Sequence, residues 1–215
     1  EPEKMDEDFV QGPDLDRKTK KNREIHDSFA HRNSDKIVLS PQQMTDASCM
    51  RTSVWSNPMA HQLLTFPGGN NQVAIIWDDE ISGIRCKGLI DRYTEDWDGV
   101  PSIMDLKTAR DIDDHNFSRA IHKWGYHIQA GMYWRGINQL TKFKPRYYFV
   151  IVENHPPYDS RVLQFDPDSL EQGIKDAEDC LRRHNLATKK NEWPGMGNGF
   201  IKLPTYAMNL NELKF

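Results

Sequence analysis

This sequence has little cysteine and no long hydrophobic run. Its 215 residues include 3 cysteines (Cys49, Cys86 and Cys180), which are far apart and never in CxxC spacing. An odd number of scattered cysteines argues against a disulfide framework, a zinc ribbon and the four-cysteine cluster of an iron–sulfur protein. No segment approaches the roughly 18 consecutive apolar residues of a membrane helix. We therefore expect free thiols in a reducing compartment and no membrane partner.

The sequence also lacks an excess of positive charge. It has 28 Lys and Arg against 32 Asp and Glu, a formal net charge of −4. This balance argues against diffuse electrostatic adhesion to nucleic acid, so any basic residues that bind a polyanion must act locally. The length suits a single domain covering residues 1–215, large enough for a proper core. Internal repeats and low-complexity segments are not found.

Two predicted strands place acidic and basic side chains together. The segments GIRCKGLIDRY and SIMDLKTAR are separated by a short acidic turn, which predicts a hairpin. Because side chains alternate along a strand, Asp105 and Lys107 share one face, and the hairpin can bring Asp91 beside them. Met104 and Leu106 take the opposite face and are predicted to enter the core. Two carboxylates can hold a hard cation such as Mg²⁺. The bound cation activates a water, and a lysine offsets charge on a phosphate. The pattern therefore favours a metal-dependent phosphodiesterase.

The segment 115–137 is predicted to form one long helix after the hairpin. Gln129 and Tyr133 are spaced i, i+4 and therefore share a face, with His122 and Tyr126 earlier on the same stripe. Apolar side chains of this helix are predicted to pack against the core, namely Phe117, Ile121, Trp124, Ile128 and Met132.

The remaining pattern predicts an α/β fold, in which a mixed central sheet of about five strands is flanked by helices. The predicted strands are 73–77, 84–91, 102–110, 146–152 and 161–165. Further helices are predicted at 41–56 with Ser40 as the N-cap, at 58–64, at 167–187, and after the basic run 17–23 as far as residue 29. The acidic segments 78–80 and 95–98 are interpreted as solvated turns rather than metal ligands.

The order of these polar residues resembles a known superfamily. Asp91, then Asp105-Leu106-Lys107, then Gln129-x-x-x-Tyr133 is similar to the PD-(D/E)XK nucleases, in the RecB-like branch that carries a QxxxY helix. The segments WDDEISGIRCKGLIDRY, IMDLKTARD, NFSRAIHKWGYHIQAGMYWRG, DRKTKKNREIHDSF and the WPG…LP ending resemble RecE-type exonuclease VIII, whose kin include phage recombination exonucleases. Asp-x-Lys alone is a weak signal, whereas the ordered set is specific.

The resemblance implies a PD-(D/E)XK, restriction-endonuclease-like fold and a metal-dependent exodeoxyribonuclease. It implies Mg²⁺ as the cofactor, with Mn²⁺ as a possible substitute, held by Asp91, Asp105 and the Leu106 carbonyl. Lys107 would position or activate the attacking water, and Gln129 and Tyr133 would hold the strand or order the site. The implied reaction is 5′-to-3′ degradation of linear double-stranded DNA, leaving 3′ overhangs for single-strand-annealing recombination.

The resemblance also implies partners and a location. The expected partners are double-stranded DNA ends, a RecT-like single-strand annealing protein and further copies of the chain in an oligomeric ring. The expected location is the cytoplasm of a bacterial or phage-infected cell. Five residues are candidates for DNA contacts, namely Arg17, Lys20, Thr108, Arg110 and Tyr126.

The sequence departs from the family pattern at two points, and two other functions remain open. The family's metal-facing histidine precedes a Leu-Glu-Pro segment, and this chain begins at Glu1-Pro2. We therefore expect that histidine, and the start of the domain, in residues before Glu1. Gln72 or a neighbour stands where relatives often have a glutamate. The alternatives are a RecB-like nuclease module of a larger DNA-processing or defence complex, and an inactive relative that binds DNA. For Arg17 and Lys20 a solvated helix start is an equally good interpretation.

Overall fold

The computed structural model describes residues 5–193 and residue 195. The WPG…LP ending at 193–204 therefore lies outside the described residues apart from positions 193 and 195, and the Glu1-Pro2 start lies outside them entirely. The helices are α1 (Met5–Asp8), α2 (Lys20–Arg32), α3 (Pro41–Ser56), α4 (Pro58–Thr65), α5 (Asp114–Lys123), α6 (Tyr126–Thr141) and α7 (Pro167–Lys190). The strands are β1 (Phe9–Gln11), β2 (Ile37–Leu39), β3 (Asn70–Asp78), β4 (Arg85–Trp97), β5 (Val100–Ala109), β6 (Arg146–Glu153) and β7 (Ser160–Gln164).

The five longer strands form a mixed sheet in the order β3-β4-β5-β6-β7, and β1 and β2 form a separate parallel pair. Strands β5 and β6 are parallel, and the other neighbours in the five-stranded sheet are antiparallel. The predicted mixed sheet flanked by helices is therefore confirmed. Within the described residues, none of the helices is long and apolar enough to cross a membrane.

Both faces of the sheet are covered, and β6 is buried on both of its sides. On one face Tyr147, Phe149 and Ile151 pack in a cluster with side chains of α6 and α7. On the other face Tyr148 and Val150 pack with side chains of α3 and α4. A strand covered on both faces reads as a continuous apolar run, which is how 146–152 was predicted. The sheet therefore gives the strand ends of β4 and β5 a rigid support.

The start of α3 is fixed by the predicted cap. The backbone N–H of Gln43 donates to Ser40 Oγ at 3.2 Å, and the N–H of Ser40 donates to Gln43 Oε1 at 2.9 Å. This reciprocal pair satisfies two donors that a helix start would otherwise leave unpaired. Pro41 occupies the first helical position, where a missing N–H costs nothing.

The hairpin between β4 and β5 turns later than predicted. Strand β4 continues to Trp97, so Glu95 and Asp96 belong to the strand. The turn lies at Asp98 and Gly99, whose φ angles of 53° and 73° are in the left-handed region. Glycine adopts this region freely and aspartate tolerates it, which places the turn there.

The segment predicted as one long helix is two helices. Helix α5 ends at Lys123 and α6 begins at Tyr126, with Gly125 between them at a φ of 68°. A residue at this φ cannot continue a right-handed helix, so the chain changes direction here. The prediction of a continuous helix was wrong. His122 and Tyr126 consequently do not extend one stripe through Gln129.

The break also changes which apolar side chains are buried. Phe117 is 1% exposed, and Ile121 and Met132 pack against the core as predicted. Trp124, however, is 63% exposed. Its predicted place in the core was wrong, because the chain leaves the line of α5 at this residue.

Asp79 was predicted to lie in a solvated turn, and it is buried instead. Its Oδ1 forms an ion pair with Arg135 of α6, and its Oδ2 accepts hydrogen bonds from the N–H and hydroxyl of Ser82 at 2.9 and 2.7 Å. Arg135 also contacts Glu178 of α7 at 3.3 Å. Burial raises the pKa of Asp79, but the hydrogen bonds from Arg135 and Ser82 outweigh this and lower it below its ordinary value. The network ties the turn after β3 to α6 and α7.

Candidate active site

The candidate site lies where two neighbouring strands separate. Strands β4 and β5 are paired as far as Arg92 opposite Met104, and their ladder ends there. Beyond this pair β4 stays paired with β3, and β5 stays paired with β6. Asp91 and Asp105 are the next residues on the two strands. The ladder therefore opens at the two predicted metal ligands.

Asp91 spans the opening with its side chain. The backbone N–H of Leu106 donates to Asp91 Oδ2 at 2.9 Å, in place of a ladder bond to β4. The C=O of a strand residue points to the same side as its N–H, so the Leu106 carbonyl also faces the opening. The Leu106 side chain is 48% exposed, so its predicted place in the core was wrong. The apolar cluster between the sheet and helices α3 and α4, which buries Met104, does not include Leu106.

Asp105 and Lys107 lie on one face of β5, as the alternation predicted. Asp105 is 2% exposed, and its Oδ2 forms an ion pair with the ammonium of Lys107. In the part of the chain that the structure describes, that buried oxygen accepts no hydrogen bond of normal geometry. Lys107 Nζ also lies 4.9 Å from the centre of the Tyr126 ring, which gives the ammonium a second favourable contact. The Asp105 carboxylate and the Tyr126 ring thus hold the Lys107 ammonium in place.

Asp105 carries a charge in an environment that opposes it. Burial raises the pKa of its carboxyl to about 6; the Lys107 ammonium acts in the opposite direction, and the Asp91 carboxylate adds to the rise. Asp91 is half-buried and close to Asp105, and two carboxylates kept this close cost stability unless a cation lies between them. The arrangement therefore favours the binding of a cation in addition to the Lys107 ammonium.

Gln129 and Tyr133 fasten α6 to β4 close to Asp91. The Tyr133 hydroxyl donates to the Leu89 carbonyl at 2.8 Å, and the Gln129 amide donates to the Tyr133 hydroxyl at 3.1 Å. A Cβ on Gly88 would lie 2.9 Å from the Tyr133 ring, so the ring needs a glycine at this point of β4. Leu89 precedes Asp91 by two residues. The pair therefore positions the strand that carries Asp91.

Three of the five predicted DNA contacts lie together, and two do not. Thr108, Arg110 and Tyr126 line a cavity of about 1450 Å³ at the end of β5. Arg17 precedes α2, and Lys20 begins it; both are exposed, and neither lines the cavity. The Lys20 ammonium lies 3.9 Å from the Glu24 carboxylate on its own helix. The structure thus associates the first three with the site and leaves the basic run apart from it.

The donor atoms at the opening fit Mg²⁺ or Mn²⁺. Within the part of the chain that the structure describes, no group of three or more His, Cys, Asp and Glu is placed to hold a metal. Asp91 and Asp105 are two carboxylates, and the Leu106 carbonyl adds a third oxygen. Mg²⁺ commonly takes one or two carboxylates and fills its other positions with water and substrate oxygens. Asp105 Oδ2, which contacts only the Lys107 ammonium among the described residues, is consistent with such a ligand.

Two residues near the site were missed by the sequence analysis. The Tyr147 side chain is fully buried, and its hydroxyl has no hydrogen-bond partner among the described residues. Burial, with Asp105 nearby, raises the pKa of Tyr147 well above its ordinary value. Arg92 is also buried and donates to the carbonyls of Leu63 and Phe66 at 3.0 and 2.7 Å, so it anchors the end of α4. Neither role is visible in the sequence, because each depends on contacts distant in the chain.

The fold and the site together define a PD-(D/E)XK-type core, with the two acids and the lysine at the diverging strands and the Gln-Tyr pair behind them. Residues 1–200 match the family described as PDDEXK-like domain of unknown function (DUF3799), and the chain belongs to this family. The more specific resemblance to exonuclease VIII stays a prediction.

The fold is also that of a solved structure, a candidate exonuclease from Eubacterium rectale. It is similar with a TM-score of 0.57 and 20% sequence identity, over 89% of this chain and 75% of that one. The structure of SSO0001 is similar over 61% of this chain and 55% of that one, with 11% identity and a TM-score of 0.35, which is too slight to indicate a common fold. No curated protein matches the sequence significantly.

Proposed function

We propose that the protein is a metal-dependent nuclease, and more narrowly a Mg²⁺-dependent exonuclease on linear double-stranded DNA. The observation that carries the proposal is the meeting of Asp91, Asp105 and Lys107 at the point where β4 and β5 separate. Asp105 is a buried carboxylate with a second carboxylate, Asp91, close to it, and this arrangement costs stability when no metal cation is bound.

Each residue of the site has a separate role in the proposed phosphodiester hydrolysis. A bound Mg²⁺ would polarise the phosphate and lower the pKa of a water. Asp91, Asp105 and the Leu106 carbonyl would hold it. Lys107 stands beside Asp105, where its charge can offset the negative charge that develops on the phosphate and can orient the attacking water. Gln129 and Tyr133 act through β4, because their hydrogen bonds fix the strand next to Asp91.

The finer features of the proposal rest on the resemblance to exonuclease VIII. They are 5′-to-3′ polarity, 3′ overhangs for recombination, Mn²⁺ as a substitute metal, a RecT-like annealing partner, a ring of subunits and a cytoplasmic location. The structural similarity to a candidate exonuclease supports the fold on which these features depend.

The test compares linear with covalently closed circular duplex in the presence of Mg²⁺ or Ca²⁺, using 5′-labelled and 3′-labelled ends to determine polarity. Linear DNA is expected to be degraded from its 5′ ends with Mg²⁺, while closed circles stay intact. Asp105→Ala is expected to abolish cleavage with DNA binding largely retained, because a metal ligand supports the transition state more than ground-state association. Asp179→Ala, on the exposed surface of α7, is the control and should cleave at the wild-type rate.

Three results would contradict the proposal or a part of it. Cleavage of closed circles would identify an endonuclease, as expected for a RecB-like module of a larger complex. No cleavage of either substrate would favour a relative that binds DNA without cutting it. Activity of Asp105→Ala within about tenfold of wild type would remove Asp105 from the metal site.

A further inference from the structure

The cavity at the end of β5 continues away from the catalytic lysine. Tyr126, whose ring contacts the Lys107 ammonium, forms part of its wall, and the residues that follow Lys107 on β5 form another part. The far wall is the second half of α5 and the turn into α6. At about 1450 Å³ it exceeds the roughly 300–1,000 Å³ of most small-molecule pockets. Its size and position suit a polymer that enters the active site.

Three cations line this cavity without a carboxylate partner. Arg110, Arg119 and Lys123 are exposed, and none of them forms an ion pair with any residue that the structure describes. The cavity also contains two carboxylates, but both are engaged by neighbours. Asp111 accepts a hydrogen bond from an asparagine amide at 2.7 Å, and Glu153 accepts one from a backbone N–H at 3.2 Å. These neutral donors leave both carboxylates charged, but the three cations outnumber them, so the lining carries a net positive charge, which suits phosphates.

An aromatic ring is exposed among these cations. Trp124 is 63% exposed, and the Lys123 ammonium lies 4.8 Å from the centre of its ring. The Trp124 backbone is fixed, because its N–H donates to the Ala120 carbonyl at 2.9 Å and Gly125 ends the helix behind it. A single exposed apolar side chain needs no explanation. An exposed ring on a fixed backbone, with cations around it that form no ion pairs with the described residues, in a cavity that shares the Tyr126 ring with Lys107, has the composition of a single-strand binding groove.

Resting on the proposed nuclease function, we propose that this cavity binds the unpaired end of a nucleic-acid strand. Trp124 stacks on a base, and Arg110, Arg119 and Lys123 contact phosphates. A base inside a duplex has both faces covered by its neighbours, and a paired base at a blunt end is still held by its partner, so the ring stacks on a frayed or single-stranded base. The groove therefore selects strand ends that have opened, and it directs them toward Lys107.

The experiment measures binding without cleavage. The full chain carrying Asp105→Asn is titrated, in chelator, with a fluorescent thymidine oligonucleotide and separately with a blunt-ended hairpin duplex, and the anisotropy is recorded. Trp124→Ala is added to this background, with Trp124→Phe as the conservative variant. Trp193→Ala is the matched control, because Trp193 is 61% exposed and does not line the cavity. Thermal unfolding checks that each variant is folded.

Trp124→Ala is expected to raise the Kd for the oligonucleotide roughly 5- to 150-fold, the effect of losing one stacked base. Trp124→Phe keeps a stacking ring and should raise it by less than about threefold, and Trp193→Ala by less than about twofold. The Kd for the blunt duplex should change by less than about twofold. Arg119→Gln should make log Kd less dependent on log salt, with a slope about 0.7 smaller.

Equal effects of Trp124→Ala and Trp193→Ala on the oligonucleotide would overturn the proposal. So would an equal loss of affinity for oligonucleotide and duplex, since the groove would not then distinguish an opened end. Because the titration needs no cleavage, this failure is separate from a failure of the proposed function. A wild-type protein that cuts no DNA, while Trp124→Ala still weakens binding, would overturn the nuclease assignment and support the groove.

Discussion

Replacing Asp105 with asparagine is expected to stabilise the metal-free protein at neutral pH. Asp105 has a pKa of about 6 in the folded chain, against a reference value of 3.8. The difference of about two pKa units corresponds to about 3 kcal/mol, since each unit is worth about 1.4 kcal/mol. Between the two pKa values the folded state binds more protons than the unfolded state. Stability from this group is therefore fully present below about pH 4 and is lost as the pH rises through 6.

Asparagine has the shape of the neutral carboxylic acid and does not titrate, so the variant should escape this loss. In chelator at pH 7 we expect Asp105→Asn to be more stable than wild type by up to about 3 kcal/mol, or roughly 6–12 °C in Tm for a chain of this length. Below about pH 4 the two proteins should have similar stability.

Thermal unfolding in chelator across this pH range measures the effect, and a titration with Mg²⁺ completes it. Saturating Mg²⁺ should raise the Tm of wild type, because a ligand at 100 times its Kd stabilises the folded state by about 2.7 kcal/mol. Saturating Mg²⁺ should raise the Tm of Asp105→Asn much less, because the variant lacks one of the two proposed carboxylate ligands. Asp179→Asn, an exposed carboxylate, is the control and should follow the wild-type pH dependence. If the Tm of wild type and of Asp105→Asn changed with pH in the same way, the reasoning would be refuted, since the pKa of Asp105 would then not be raised in the folded protein.

Further outcomes follow from the contacts of the site and the core. Lys107→Ala should lower the cleavage rate at least about 100-fold with DNA affinity little changed, measured by single-turnover cleavage and anisotropy. Tyr133→Phe should lower the cleavage rate, because it removes the hydrogen bond from the Tyr133 hydroxyl to the Leu89 carbonyl of β4. Gly88→Ala should also lower the cleavage rate, because the added methyl group displaces the Tyr133 ring. Asp79→Ala should lower the free energy of unfolding by about 3–5 kcal/mol, because it leaves the Arg135 charge buried without its main partner, and urea unfolding measures this.

Matched variants show whether these effects are specific. Lys142→Ala removes an exposed lysine whose partner, Glu80, lies 3.4 Å away at the surface, and it should leave both cleavage and stability unchanged. Gly83→Ala is the control for Gly88→Ala, because it replaces a glycine that does not contact Tyr133. It should lower stability, since Gly83 has a φ of 68°, but the cleavage rate of the folded protein should equal that of wild type. Wild-type cleavage by Gly88→Ala would show that the Tyr133 ring does not position β4.

The parts of the fold that depend on local pattern could be predicted from the sequence. Alternation along 102–110 placed Asp105 and Lys107 on one face, and the structure has them in contact. The Ser40-Pro41 pair predicted the start of α3 to the residue. The five-stranded sheet followed from runs of β-branched and aromatic residues between turn signals. In each case neighbours in the sequence determine the outcome, so the signal is readable without the tertiary structure.

The predictions that were wrong concern residues whose burial or backbone conformation depends on contacts with residues distant in the sequence. Asp79 looks like a turn residue until Arg135, 56 positions later, is packed against it. Leu106 has the parity of a core residue, but the strand next to it has already separated. The break at Gly125 was missed because a single glycine is tolerated in a helix interior at a cost of only about 1 kcal/mol, so the apolar pattern on both sides dominated. Trp124 was assigned to the core for the same reason.

Diffraction from crystals soaked in Mn²⁺, with anomalous differences used to locate the ion, tests the proposed metal site directly. One anomalous peak is expected between the carboxylates of Asp91 and Asp105, within coordination distance of both and of the Leu106 carbonyl, and no such peak in crystals of Asp105→Asn. A peak at another place in the protein, or two carboxylates that stay bare in saturating Mn²⁺ at neutral pH, would contradict it.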